Sequence, residues 1–339
     1  MRIILDTLGG DNPPEEIIRG GVAAAKRYEG IEVALAGRSE QIKPELERCD
    51  QSVTDRLSII EAPEEISMFE PPVRAVKNKT NSSLVRGIEA LKEEAPGQGD
   101  ALVSPGNTGA VMAAALLKLG RIRGITRPGI AAALPTLKQE TLVIDVGANT
   151  DCSPENLKQF AIMGQVYARE IMEIEDPRVG LLNIGEEQGK GSELTINTYT
   201  LLKESSLNFV GNVESHSLIT GREVDVVVCD GFVGNVLLKA YEGGAEAVLK
   251  LLKRSIERDL WSRIGGLILE PTLRNFIREM SSSHYGGAPL LGVKGIVIIA
   301  HGHADAVAIE NAIGVAQSSV VQRLIEKIQR GIEAELKEE

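Results

Sequence analysis

Thr141-Leu142-Val143-Ile144-Asp145-Val146-Gly147-Ala148-Asn149-Thr150-Asp151 is an apolar, β-branched run that stops in a turn of Asp, Gly and Asn. The same grammar occurs twice more. Ala101-Leu102-Val103 leads into Ser104-Pro105-Gly106-Asn107-Thr108-Gly109-Ala110, and Val224-Asp225-Val226-Val227-Val228 leads into Asp230-Gly231-Phe232-Val233-Gly234-Asn235. A helix-like segment follows each turn. Short buried strands feeding helices through such turns are the pattern of an open, mostly parallel sheet. Taken singly, each turn reads as a sharp connection in which Asn or Asp caps a helix. Together they say more, because strand ends on one edge of a parallel sheet converge on a shared crevice. Glycine lets backbone N–H groups approach a ligand, and a helix N-terminus adds partial positive charge. The three turns therefore predict one composite site for a small anion, phosphate first.

Outward from these turns, β-branched runs alternate with longer amphipathic ones along the chain. Strands are expected at Arg2–Asp6, Glu32–Ala36, Leu57–Glu61, Asp100–Val103, Ile130–Leu134, Thr141–Asp145, Arg178–Asn183, Asn208–Gly211, Val224–Cys229 and Ile296–Ala300. Helices are expected at Glu15–Tyr28, Ser82–Glu94, Thr108–Leu119, Pro154–Met172, Glu193–Lys203 and Asp305–Gln329. The fold class is α/β, a doubly wound, mostly parallel Rossmann-like αβα sandwich forming a single domain over residues 1–339. One segment departs from the alternation. Gly234 to about Arg258 reads as a long helix, and a second runs from Pro271 to about Met280 with no strand between. The connection holds Leu260, Trp261, Ile264, Leu267, Ile268 and Leu269, broken by Gly265-Gly266. This predicts a protruding helical hairpin, residues 234–283, whose apolar tip meets either a membrane or a dimer partner.

A chain of 339 residues, 43% hydrophobic, can bury a large core. Its net charge of −11 argues against a general nucleic-acid binder, which needs Lys and Arg to displace counterions. Cys49, Cys152 and Cys229 show neither metal-ligand spacing nor a disulfide framework, which fits reducing cytosol. Met1-Arg2-Ile3-Ile4-Leu5-Asp6 turns acidic too soon for a signal peptide, and no apolar run approaches the roughly 20 residues that span a bilayer. The four histidines, His216, His284, His301 and His303, lack the spacing of a zinc site.

The residues resemble the PlsX family, the acyl-ACP:phosphate acyltransferases of bacterial phospholipid synthesis. The resemblance opens at Asp6-Thr7-Leu8-Gly9-Gly10-Asp11, close to the family's Asp-Ala-Met-Gly-Gly-Asp, and continues through Arg74, Lys77, Lys79 and Ser82-Ser83. It takes in Gly106–Ala110, Asp145–Asp151, Leu181–Gly185 with Lys190-Gly191, Phe209–Glu214, Asp230–Asn235 and Tyr285-Gly286-Gly287-Ala288. Departures are Thr7, Leu8, Pro105, Gly189 and His303-Ala304, the last where the family often has small hydroxyl residues.

The resemblance implies attack of inorganic phosphate on the thioester of an acylated acyl carrier protein, giving acyl phosphate and free carrier thiol, with no cofactor or metal. Such a reaction asks the protein to align phosphate, stabilise the tetrahedral oxyanion and assist the departing thiolate. A loop lysine alone is usually solvated; the resemblance is what brings Lys190 to the reacting centre as a point charge. Asn107 and Asn235 join it as catalytic amide donors. Gly9, Gly10, Asp11, Gly106, Thr108, Gly147, Asn149 and Gly234 make the phosphate cradle. Asp6, Asp145, Asp151 and Asp230 repel phosphate and are read as orienting groups. The apolar surface of the two long helices predicts a homodimer, with paired hairpins as a four-helix bundle, as the resemblance also suggests. The Leu260–Leu269 tip, flanked by Arg254, Arg258, Arg263 and Arg274, predicts peripheral contact with the inner face of the membrane, where a labile, poorly soluble acyl phosphate is best released. Three alternatives stand beside this reading: a short-chain phosphotransacylase, an NAD-dependent dehydrogenase and a noncatalytic membrane-associated scaffold. The dehydrogenase lacks support from the first turn, which has no Gly-x-Gly-x-x-Gly.

Overall fold

The computed structural model describes residues 1–11, 14–92, 97–137, 140–220, 224–280 and 286–338, with backbone alone for 274–280 and 336–338. Eleven strands among them form one sheet. They are β1 (Arg2–Asp6), β2 (Glu32–Gly37), β3 (Leu57–Glu61), β4 (Ala101–Ser104), β5 (Gly129–Pro135), β6 (Glu140–Ile144), β7 (Val179–Asn183), β8 (Phe209–Glu214), β9 (Val226–Val228), β10 (Ala288–Leu291) and β11 (Ile296–Ile299). The helices are α1 (Glu15–Arg27), α2 (Ser39–Arg48), α3 (Pro72–Asn78), α4 (Ser83–Glu89), α5 (Thr108–Lys118), α6 (Pro154–Glu170), α7 (Glu193–Lys203), α8 (Ser215–Thr220), α9 (Gly231–Glu257), α10 (Leu260–Met280), α11 (Ala306–Val321) and α12 (Leu324–Glu338).

Strand order is β3-β2-β1-β4-β11-β10-β5-β6-β9-β7-β8. The first five in this order are mutually parallel, as are the last four. Between the two groups β10 runs antiparallel to both β11 and β5, and β6 runs antiparallel to β5. The two parallel groups therefore point in opposite directions. Both faces are covered, as apolar strands such as Ile3-Ile4-Leu5 and Val226-Val227-Val228 require. Ile3, Leu5, Ile144 and Val228 meet α1, α6, α11 and α12 through Ile17, Phe160, Ile309 and Ile328. Ile4, Leu102, Val143 and Val227 meet α4, α5 and the start of α9 through Val85, Ala114 and Leu237.

Several expectations are corrected. Ala288–Leu291 was not foreseen as a strand because Pro289, behind Gly286-Gly287, reads as a turn; here it pairs antiparallel on both sides. The helix expected over Asp305–Gln329 is two, divided at Arg323, whose φ of 53° ends the right-handed run. Helices α2, α3 and α8 were missed; α2 carries Pro44 internally and buries only Ile42. The ends of two motifs, Glu93-Glu94 and His284-Tyr285, lie outside the described residues.

The hairpin is present, but its tip differs from the expectation. Leu260–Leu269 is no loop: it forms the first half of α10, and the turn is Arg258-Asp259. Asp259 accepts the Ser262 N–H at 2.9 Å and its hydroxyl at 2.8 Å, which starts the helix at once. Gly266 does not break it, because a Cβ there would collide with Ile256 of α9, so the glycine is what lets the two helices close. At the other end, a Cβ on Gly234 would fall on the carbonyl oxygen of Asp145, so α9 can cross the β6 turn only with glycine there. Gly243, farther along α9, faces open space. Gly234→Ala is thus expected to lower stability by about 1–3 kcal/mol. Gly243→Ala should raise it by about 0.5–1 kcal/mol. Urea unfolding of the two variants checks the contrast.

Candidate active site

The reversal of strand direction separates the three turns. The C-terminal ends of β1, β4 and β11 lie on one edge of the sheet, and those of β6, β7 and β9 on the other. The single composite crevice expected from the sequence is therefore overturned. The physical reason is the antiparallel β5–β6 pairing, which an apolar run cannot announce, since direction leaves no trace in composition.

On the first edge the buried Asp6 is a hub. Its Oδ2 accepts the Ser104 hydroxyl at 2.7 Å, and Ser104 Oγ accepts the Gly106 N–H at 3.1 Å. Its Oδ1 accepts the Leu8 N–H at 3.3 Å, and Ser83 adds a further bond. Gly9 lies flat against Gly106, where a Cβ would be 2.7 Å from the Gly106 nitrogen. Gly10 has φ 81°, a left-handed turn that glycine favours. Asp11 donates its N–H to Gly302 O at 2.8 Å, while its carboxylate holds His303 Nδ1 at 2.8 Å. Asn107 is occupied: Oδ1 caps α5 through the Ala110 N–H at 3.0 Å, and Nδ2 donates to Met68 O at 2.7 Å. Thr108 is exposed at the first position of α5.

The second edge is organised by Asp145, fully buried. Its Oδ1 accepts the N–H groups of Ile130, Gly147 and Ala148 at 3.2, 3.0 and 2.8 Å. Oδ2 accepts the N–H and the side-chain amide of Asn149 at 2.7 and 2.8 Å. Asn149 also donates to Pro128 O at 2.7 Å, so it is a strut, with no amide hydrogen left over for a direct phosphate contact. Asp230 caps α9, accepting the Phe232 and Val233 N–H groups at 3.0 Å each. Asn235 follows in the next turn. Its side chain is half-buried, makes no hydrogen bond among the described residues, and stands 3.8 Å from where a Cβ on Gly147 would be.

Lys190 lies on this same edge, in the loop after β7. Asn183 Nδ2 donates to its carbonyl at 2.9 Å, and its exposed ammonium has no ion pair among the described residues. Asp151 is exposed and orients nothing among the described residues. The second edge thus gathers Asp145, Gly147, Asn149, Asp230, Gly234, Asn235 and Lys190. The first gathers Asp6, Gly9, Gly10, Asp11, Gly106, Asn107 and Thr108. Reasoning from the sequence missed Ser83 and Ser104 as carboxylate partners and His303 as the partner of Asp11. Ser104 had a signal, a hydroxyl immediately ahead of Pro105-Gly106.

Two cysteines border Asp145. Cys229 is buried, with Sγ 3.4 Å from Asp145 O. Burial and the nearby carboxylates push its thiol well above the ordinary value, and the same causes push Cys152 up to about 11. Both stay protonated at neutral pH, which denies this edge a thiolate nucleophile. What the arrangement offers is a free amide at Asn235 and a loop ammonium at Lys190, donors suited to oxyanions, beside a glycine turn with no side chain to block approach.

The family model described as fatty acid synthesis protein matches residues 1–327. The chain belongs to that family. Among its relatives, "Phosphate acyltransferase" of Pelotomaculum thermopropionicum is 48% identical over 98% of this chain and 96% of that protein. The protein of the same name in Halothermothrix orenii is 47% identical over 98% of each. Solved structures share this family member's fold. A phosphotransacetylase from Streptococcus pyogenes superposes with a TM-score of 0.60 at 17% identity, covering 95% of this chain and 94% of that one. The 4-hydroxythreonine-4-phosphate dehydrogenase of Klebsiella pneumoniae gives 0.53 at 14%, covering 94% and 98%. At these identities the likeness is one of fold.

Burial also raises the Asp6 carboxyl above its ordinary value, against the opposing pull of Ser83, Ser104 and the Leu8 and Gly9 N–H groups. The folded state then binds this proton more tightly than the unfolded chain. Stability from this group is accordingly lost as pH rises from the unfolded carboxylate value through the raised folded one. Asp6→Asn abolishes the titration. Melting measured across that window should show the wild type losing ground to the variant as pH rises; a difference independent of pH would contradict it.

Proposed function

We propose that the chain transfers a fatty acyl group from acyl carrier protein to inorganic phosphate, yielding acyl phosphate for phospholipid synthesis. A phosphate oxygen attacks the thioester carbonyl, the C–O bond forms, and the tetrahedral oxyanion collapses with cleavage of C–S. The thiolate leaves and takes a proton. The observation that carries the reading is the unpartnered Asn235 amide facing Gly147 at the start of α9, on the edge that also bears Lys190. Asn235 donates to the oxyanion, and Lys190 pairs with phosphate or the developing charge. Asp145 and Asp230 hold the loops, and Gly147 and Gly234 keep the backbone open. Asn107, whose amide is engaged, is assigned to scaffolding on the other edge.

Turnover with long-chain acyl-ACP, acyl-CoA and acetyl thioesters side by side tests the donor and the chain length. Lys190→Ala is expected to lose about a hundredfold or more in kcat. Asn235→Ala should lose activity at unchanged melting temperature, since no protein bond is broken. Asn107→Ala should instead cost about 1 kcal/mol of stability as a lost cap. Wild-type turnover in the Lys190 variant would remove that lysine from the site.

The hairpin gives the same reading a place to work. α10 packs on α9, and leaves Leu260, Trp261, Leu267 and Ile268 between 69% and 80% exposed. We assign one part of this surface to a second copy of the chain, hairpin against hairpin, and the outward Leu267 and Ile268 to shallow insertion in a bilayer. No described helix is long and apolar enough to cross a membrane. Arg254, Arg258 and Arg263 sit near the turn; the Arg274 side chain lies outside the described residues. Changing Leu267 and Ile268 together to Asp should abolish liposome co-sedimentation while light scattering still reports a dimer. Dissociation of the dimer would assign these side chains to the subunit contact instead.

A further inference from the structure

On the face of the sheet covered by α1, α6 and α11, the helices leave a cavity of about 710 Å³. That size is typical of small-molecule sites. Ala133, Ile171, Met172, Ile174 and Val315 give it apolar walls, and Asn311 and Ser318 add polar lining. Two phenols line it as well. Tyr167 is only 6% exposed, yet its hydroxyl has no hydrogen-bond partner among the described residues, and the Tyr28 hydroxyl is likewise unpaired. Buried phenols normally find a partner, so a cavity with an unspent hydroxyl on its wall calls for one from outside.

The electrostatics narrow the class of ligand. Burial, reinforced by the Glu140 carboxylate, pushes the Tyr167 phenol above its ordinary value, so it keeps its proton and stands as a donor. Glu140 lies at the rim, and no Lys or Arg lines the cavity among the described residues. An anionic head would meet the Glu140 carboxylate, and the nearby Arg27, which lies over the Tyr28 ring, is already paired with Glu310 at 2.9 Å. The cavity is also remote from Asn235: about 20 Å of helix rise separates Pro154, near the Asp145 turn, from Tyr167. The fully buried Phe160 and Met163 of the same helix fill the interval.

We propose that this cavity is a second ligand site, taking an uncharged single-chain amphiphile, an alkyl or acyl chain whose head accepts a hydrogen bond from Tyr167. It lies outside the proposed reaction centre, and its test needs no turnover. The probe is 1-decanol, titrated calorimetrically into the full-length protein, with decanoate at pH 8 as the charged match. Decanol should bind at one site, and decanoate at least about tenfold more weakly. Tyr167→Phe should weaken decanol about fivefold, the scale of one hydrogen bond, at unchanged melting temperature. Ala133→Trp, which fills the cavity, should abolish binding; if that variant fails to fold, Tyr167→Phe decides alone. No binding up to the solubility of decanol, equal affinity for decanoate, or wild-type affinity in Tyr167→Phe would each overturn the proposal. So would binding lost on changing Leu267 and Ile268 to Asp, which would place the alcohol on the hairpin.

Discussion

The buried carboxylate of Asp145 holds together the region on which the candidate chemistry depends. Four backbone N–H groups and one side-chain amide converge on its two oxygens. They come from the start of β5 and from the turn after β6, so one side chain fixes where the strand ends and how the glycine turn is shaped. Its own carbonyl meets the Cys229 thiol and the face of α9 at Gly234. Burial works against the charge, and the five converging donors oppose that cost. The result is a turn whose geometry is set before any substrate arrives.

That rigidity explains the division of labour among the asparagines. Asn149 and Asn107 spend their side chains on neighbouring carbonyls and helix caps, as the bland reading of such turns expects. Asn235 alone of the three sits one turn inside its helix, past the capping position that Asp230 already fills. A helix needs no side-chain donor there, so the amide is free to face outward. Spacing from the cap, rather than residue type, separates the asparagines whose amides are engaged from the one proposed to act.

Much of this was legible in the sequence. Apolar runs ending in Gly and Asn located β4, β6 and β9 within a residue or two, because burial on both faces writes a continuous hydrophobic signature. What stayed hidden was direction and partnership. A strand reads the same whether its neighbours run with it or against it, so the opposed orientation of the two parallel groups, and the two separate edges that follow, could not be seen. Pro289 disguised β10, and Gly265-Gly266 disguised a helix, in which Gly266 makes room for Ile256 of α9. A long-range pair such as Asp11 with His303 had no local signal at all.

The protonated cysteines bear on the chemistry by subtraction. A thioester substrate could in principle pass its acyl group to an enzyme thiol before phosphate intervenes. Cys229 and Cys152 stand beside the candidate centre, but burial and two neighbouring carboxylates hold both as thiols, and a thiol is a poor nucleophile. Asp145 is covered by its own donors and Asp230 is spent on the first N–H groups of α9, which leaves the ammonium of Lys190 as the cation of this edge without an ion pair among the described residues. The proposed direct attack by phosphate agrees with this absence of a thiolate at Cys152 and Cys229.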